Sequence, residues 1–121
     1  MIERIAWVLL SLVHLTPALA LFRPALLTRL YCLPVDSPLF LLMQHRAVLF
    51  LVIVVIALWC AVDPAPRRLG SVALALSMGG FLMLWLAGGS PPALRTIAVV
   101  DAIGLLPLAY VAWRAFVHAP A

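Results

Sequence analysis

An all-α, integral membrane four-helix bundle is the fold class that the sequence predicts, and three observations predict it. The chain has 121 residues, is 67% apolar and is charged at only 10% of its positions, with a mean hydropathy of +1.22. A soluble domain is roughly half apolar and about a quarter charged, and a chain this short keeps too much surface in water to hide such an excess. Four apolar runs are each long enough to cross a hydrocarbon core about 30 Å thick, which takes about 20 helical residues. Between the runs stand Pro, Gly, Ser and Asp, which break helices and form turns. The same composition excludes a disordered chain and a disulfide scaffold.

The spans are expected at about 5–22, 39–62, 69–87 and 94–117, within one domain, 1–121, that shows no internal repeat. They are continuously apolar rather than alternating, which excludes barrel strands. Helices also satisfy their own backbone polar groups in oil. The first run has the outline of a signal peptide, ending in Ala18-Leu19-Ala20. Glu3 weakens its positive start, and His14 and Pro17 interrupt its apolar stretch, so it reads as a retained helix. The following segment, 23–37, is long enough to have structure of its own, and Thr28, Leu30 and Tyr31 suit the headgroup level. The connectors 63–68 and 88–92 are short, which predicts that the second and third spans, and the third and fourth, are antiparallel neighbours.

In the third span Gly70, Ala73, Ser77 and Gly80 recur at three- and four-residue spacing, a stripe that permits close helix contact. Ala98, Asp101 and Gly104 share one face of the fourth. Pro17 and Pro107 are expected to bend their helices and free backbone carbonyls. Trp7, Trp59, Trp85 and Trp113 fall near span ends, as an aromatic belt would. Cys32 and Cys60 are separated by most of a span, too far for a disulfide, whose Cα atoms lie within about 7 Å.

The informative residues are polar ones inside the spans. At 1.5 Å per helical residue, His14 lies roughly 13 Å from the face that carries segment 23–37, and His45, Arg46 and Asp101 roughly 10 Å from it. Ser77 lies just beneath that layer and Gln44 adjoins it. A lone Arg or Asp deep in the core costs about 2.5–3.5 kcal/mol on insertion scales. Pairing Arg46 with Asp101 removes much of that cost, because a guanidinium fork suits a carboxylate. The expectation is therefore an intramembrane Arg46–Asp101 ion pair with His14 and His45 near it. The competing reading is that Arg46 snorkels to the interface. Gln44, His45 and Arg46 are consecutive, about 100° apart around the helix, so they do not all face inward. Such a layer serves either as a ligand site or as a structural pin fixing helix register.

Other chemistries find little support. His14 and His45 lack a third ligand at metal-like spacing, which argues against haem or a metal, and no residue is assigned a catalytic role. H-E-x-x-H and a nucleophile elbow are absent from the sequence. No Arg cluster interleaves with aromatics as a nucleic-acid surface would.

The run Leu42-Met43-Gln44-His45-Arg46-Ala47-Val48-Leu49-Phe50, with His14 and Pro17 before it and Leu94, Arg95 and Asp101 after it, resembles an uncharacterised family of small bacterial four-transmembrane-helix proteins. The resemblance spans nearly the whole chain. Some members carry the label phosphopantetheine adenylyltransferase, but that chemistry needs a His-x-Gly-His element and a Gly-rich turn to hold phosphates, and neither is present. The architecture is also similar to DoxX-like membrane proteins, some of which are linked to quinone or thiol redox chemistry. The resemblance implies a bacterial inner (cytoplasmic) membrane. The positive-inside rule favours cytoplasmic termini, since Arg4, Arg67, Arg68 and Arg114 outweigh Arg23, Arg29 and Arg95.

The expected role is non-enzymatic: a ligand-binding or accessory subunit beside a larger membrane partner or in a homo-oligomer, embedded in the lipid bilayer. The alternative is an oxidoreductase component holding a quinone-like headgroup, and a third reading is a proton or small-solute conduit.

Overall fold

The computed structural model describes residues 1–118; residues 119–121 of the predicted domain, and the side chain of Leu30, lie outside the described residues. Helix α1 runs over Ile2–Leu19, α2 over Pro24–Tyr31, α3 over Pro38–Val62 and α4 over Arg67–Ala87; a 3-10 turn, Pro92–Leu94, then leads into α5, Arg95–Val117. Among the described residues there is no strand. Four helices, Ile2–Leu19, Pro38–Val62, Arg67–Ala87 and the continuous Pro92–Val117, are long and apolar enough to cross a membrane. No more than 33% of the apolar window of any of these helices is buried within the chain. Apolar side chains therefore face outwards nearly all round, the pattern of a helix solvated by lipid rather than water.

Local chemistry explains the boundaries. Helix α1 ends three residues before the expected limit because Pro24 follows; the residue before a proline is driven out of helical geometry, and Arg23 is extended at φ −132°, ψ 87°. The amides of Leu21, Phe22 and Arg23 fold back onto the carbonyls of Ala18 and Leu19. Pro24 then starts α2, the structured piece expected in segment 23–37, and Cys32 closes it in the left-handed region at φ 54°. Ser37 caps α3 by accepting from the Leu39 amide, with Pro38 at the first helical position. At the other end of α3, Asp63 accepts from the Trp59 indole and the Ala65 amide, which turns the chain into α4. Gly88 caps α4 and Gly89, at φ 84°, reverses the chain.

Helix α1 packs between α3 and α5, and α4 packs on α5. Helices α4 and α5 are the neighbours that their short connector implies. Helices α3 and α4 are not, beyond the turn they share: they touch there and then diverge. Glycine explains where they touch. A Cβ on Gly70 would stand 2.5 Å from the Cys60 Sγ and 3.3 Å from the Trp7 ring, whereas one on Gly80 would meet nothing within 4 Å. The predicted small-residue stripe thus works as a packing surface at one end and faces open space at the other.

The closed end is pinned by charge. The Glu3 carboxylate, in the first turn of α1, accepts from Arg67 at the start of α4 and from Arg114 in the last turn of α5. Arg67 Nε also donates to the carbonyl of Cys60 on α3, and Arg68 Nε to that of Ala115 on α5. Beneath this clasp lies the main apolar core, with Trp7, Leu10, Cys60, Leu74, Met78 and Val111 fully or almost fully buried. Trp7 departs from the expected belt: it is 0% exposed and its indole N–H has no partner, because α1 is flanked on both sides and Gly70 leaves room for the ring. Trp59 and Trp113 are exposed, and Trp85 donates to the Pro91 carbonyl.

Two substitutions separate the ends. Gly70→Ala is expected to destabilise the detergent-solubilised protein by about 1–3 kcal/mol through overpacking against Cys60 and Trp7. Gly80→Ala should leave stability unchanged or slightly raised; thermal unfolding followed by circular dichroism reads both. By the same measurement Glu3→Ala should lower the melting temperature, since it removes both ion pairs of the closed end at once.

Candidate functional site

At the end where α3 and α4 diverge, the polar residues of the spans meet. Arg46 sits two turns into α3, with its guanidinium carbon 5.1 Å from the centroid of Phe50, 5.6 Å from Tyr31 and 5.6 Å from Phe81. Three elements supply the rings: Phe50 lies one turn along α3, α2 folds back to bring Tyr31, and α4 brings Phe81. Each ring face attracts a cation by about 0.5–2 kcal/mol, so three together offset a burial cost of about 2.5–3.5 kcal/mol. Burial pushes the Tyr31 phenol above its ordinary range; the Arg46 charge opposes the rise and the Asp101 charge adds to it. Tyr31 therefore offers Arg46 the face of a neutral ring.

The Arg46–Asp101 ion pair expected from the sequence is not formed. Among the described residues both ion pairs within 4.0 Å belong to Glu3. The reason is geometric: the rings hold the guanidinium, and Asp101 on α5 faces the gap left by the diverging helices. The two charges line the same cavity, about 730 Å³ between α3 and α4, together with Ser77, Gly80 and Phe81. Asp101 and Phe50 also line a second cavity of about 290 Å³, walled by His14, Pro17 and Tyr31.

His14 lines the smaller cavity together with Asp101. Its Nδ1 lies 3.0 Å from the Leu10 carbonyl, which only accepts, so Nδ1 carries the proton. Its Nε2 then accepts from the Ser77 hydroxyl, at a long 3.5 Å. The His14 ring is tilted 43° to that of Phe50, with centroids 5.8 Å apart. Pro17 lacks the N–H that would bond the Val13 carbonyl, and both residues line the smaller cavity.

His45 and Gln44 are not brought in. His45 is exposed, and Gln44 is half-buried but lines neither cavity. They precede Arg46 by one and two residues, hence about 100° and 200° around α3. Phe50 and Phe81 were not singled out by sequence reasoning. The i to i+4 spacing from Arg46 to Phe50 is a signal that would have found the first; Phe81, on another helix, has none. Glu3 was likewise read only as a charge in the leader.

Among the described residues no three His, Cys, Asp or Glu side chains gather as a metal site. Nor does the Arg46 guanidinium or the Asp101 carboxylate have a hydrogen-bond partner among them. Chemically, the site presents an unused planar donor and an unused acceptor across an apolar cleft. Fold and cleft define the class: an all-α protein with four helices able to cross a membrane and a polar site between diverging helices. No family model, curated protein or solved structure matches the chain.

The ring cage makes a quantitative prediction. A double-mutant cycle with Arg46→Met and Phe81→Leu, read by thermal unfolding in detergent, should give a coupling of about 0.5–2 kcal/mol. Strict additivity would show that Phe81 does not hold the guanidinium.

Proposed function

We propose that the chain is a multi-pass protein of the bacterial inner membrane that binds a small ligand in the cleft between α3 and α4. One observation carries this reading: Arg46 and Asp101 face one cavity with their donors and acceptors unmet. The rings offset the burial of the Arg46 charge but leave its N–H groups without acceptors, and the Asp101 carboxylate has no donor; a ligand that accepts from one and donates to the other supplies the missing hydrogen bonds. A cleft of about 730 Å³, mostly apolar with a few convergent polar groups, has the size and character of small-molecule sites. A register pin would have closed the two charges on each other, which is why ligand binding is preferred to a purely structural layer.

The inner-membrane assignment draws on the four apolar helices and on the resemblance of the His45-to-Phe50 run to a bacterial family. The grouping of Arg67, Arg68 and Arg114 at the end where α1 begins and α5 finishes supports cytoplasmic termini. A quinone-like headgroup is the second reading, favoured by the rings of Phe50 and Phe81 beside a donor able to reach a carbonyl oxygen.

Mass spectrometry of small molecules retained after purification in mild detergent tests the proposal. The wild type should hold a molecule that Arg46→Gln and Asp101→Asn each release by about tenfold, the worth of one charge-assisted hydrogen bond. An empty wild type, or variants that retain as much as the wild type does, would overturn it. A retained molecule without a quinone chromophore would remove the second reading alone.

A further inference from the structure

The larger cavity has a direction. It begins at Gly88, Pro91 and Leu94, at the end of α4 and the turn beyond it, passes Arg46 and Asp101, and continues between Leu49, Ile53 and Leu76. Its upper rim is thus the edge of the bundle, its middle is charged, and its deeper walls are apolar. Because α3 and α4 diverge, nothing on Gly80 closes the seam between them. A molecule with a polar head and a hydrocarbon chain matches this sequence of surfaces in order, and the bilayer supplies such molecules at the open seam.

The charges narrow the head. The Arg46 guanidinium offers planar donors suited to a phosphate, whose oxygens it can engage two at a time. The Asp101 carboxylate only accepts, so it needs a donor, and it repels a head that is purely anionic. The two groups are farther apart than an ion pair, so each keeps its hydrogen-bonding groups free. A head bearing a phosphate and, a few bonds away, a primary ammonium satisfies both.

Resting on the ligand-binding reading above, we propose that the cleft holds a zwitterionic phospholipid of the phosphatidylethanolamine type, phosphate on Arg46, ammonium on Asp101, and acyl chain between α3 and α4. The lipid completes the hydrogen bonding that the chain leaves open and fills the seam that its own helices do not close.

The test uses delipidated full-length protein in detergent, titrated with phosphatidylethanolamine, with phosphatidylglycerol of the same chains and with soluble phosphoethanolamine, and read by native mass spectrometry and thermal shift. Phosphatidylethanolamine should bind about tenfold more tightly than phosphatidylglycerol, and the soluble head alone should give no shift at the same concentration. Asp101→Asn should erase that preference while phosphatidylglycerol still binds, and Arg46→Gln should weaken both lipids. Gly80→Leu, which narrows the cleft from a position where a Cβ meets nothing within 4 Å, should weaken binding of both lipids while the lipid-free melting temperature holds; this keeps the test open if Arg46→Gln does not fold. Equal binding of the two lipids, a preference that survives Asp101→Asn, or saturation by the soluble head would overturn the proposal. If the wild type instead retains a non-lipid molecule that Arg46→Gln releases, the lipid assignment falls and the ligand-binding reading stands. A protein that retains nothing and shifts with nothing loses both.

Discussion

A guanidinium placed inside an apolar helix is the constraint on which the rest of this structure turns. Arg46 has no carboxylate within ion-pair distance and is held instead by Tyr31, Phe50 and Phe81. Satisfying it by ring faces requires three separate elements to converge. Helix α2 folds back over the end of α3 to deliver Tyr31, with Leu27 buried beside Phe40 and Ala47 as the apolar fastening. Helix α4 brings Phe81 to the cation while its Gly79 and Gly80 face open space. The charged site and the open seam therefore lie together.

The bundle is accordingly asymmetric along its axis. At the closed end Glu3 ties α1 to the start of α4 and the end of α5, Gly70 lets α4 settle against Cys60 and Trp7, and the core is continuous. At the other end the same helix presents Gly79 and Gly80 to space. Ion pairs anchored at one end and an aromatic cage at the other give α4 a fixed base and a free flank. Partly exposed ion pairs contribute modestly on their own; here they matter because one carboxylate joins three helix ends at once.

His14 and Ser77 illustrate how a buried polar layer can be partly closed within the chain. The Leu10 carbonyl fixes the imidazole tautomer, and the remaining nitrogen takes the Ser77 hydroxyl, so a residue of α1 and one of α4 are mutually satisfied. Arg46 and Asp101 lie in the same layer without such closure. The difference between a satisfied pair and an unsatisfied one, a turn apart, locates the part of the molecule that is built to meet something else.

The sequence by itself determined the helical class, the number of apolar helices able to cross a membrane and the turns between them. These depend on composition, run length and breakers such as Pro24, Pro38 and Gly88, all properties of contiguous residues. It also set His14, His45, Arg46 and Asp101 at one level, with Ser77 just beneath, because depth along a helix is a matter of counting. Only the tertiary structure decided that Arg46 rests on aromatic rings instead of pairing with Asp101, that His45 and Gln44 face elsewhere, that Trp7 is core and not belt, and that α3 and α4 part after Gly70. Those outcomes depend on how each helix is rotated about its axis and which neighbour it meets. That is set by the joint packing of residues far apart in the chain, such as Glu3 with Arg114 or Arg46 with Phe81, and no local pattern encodes it.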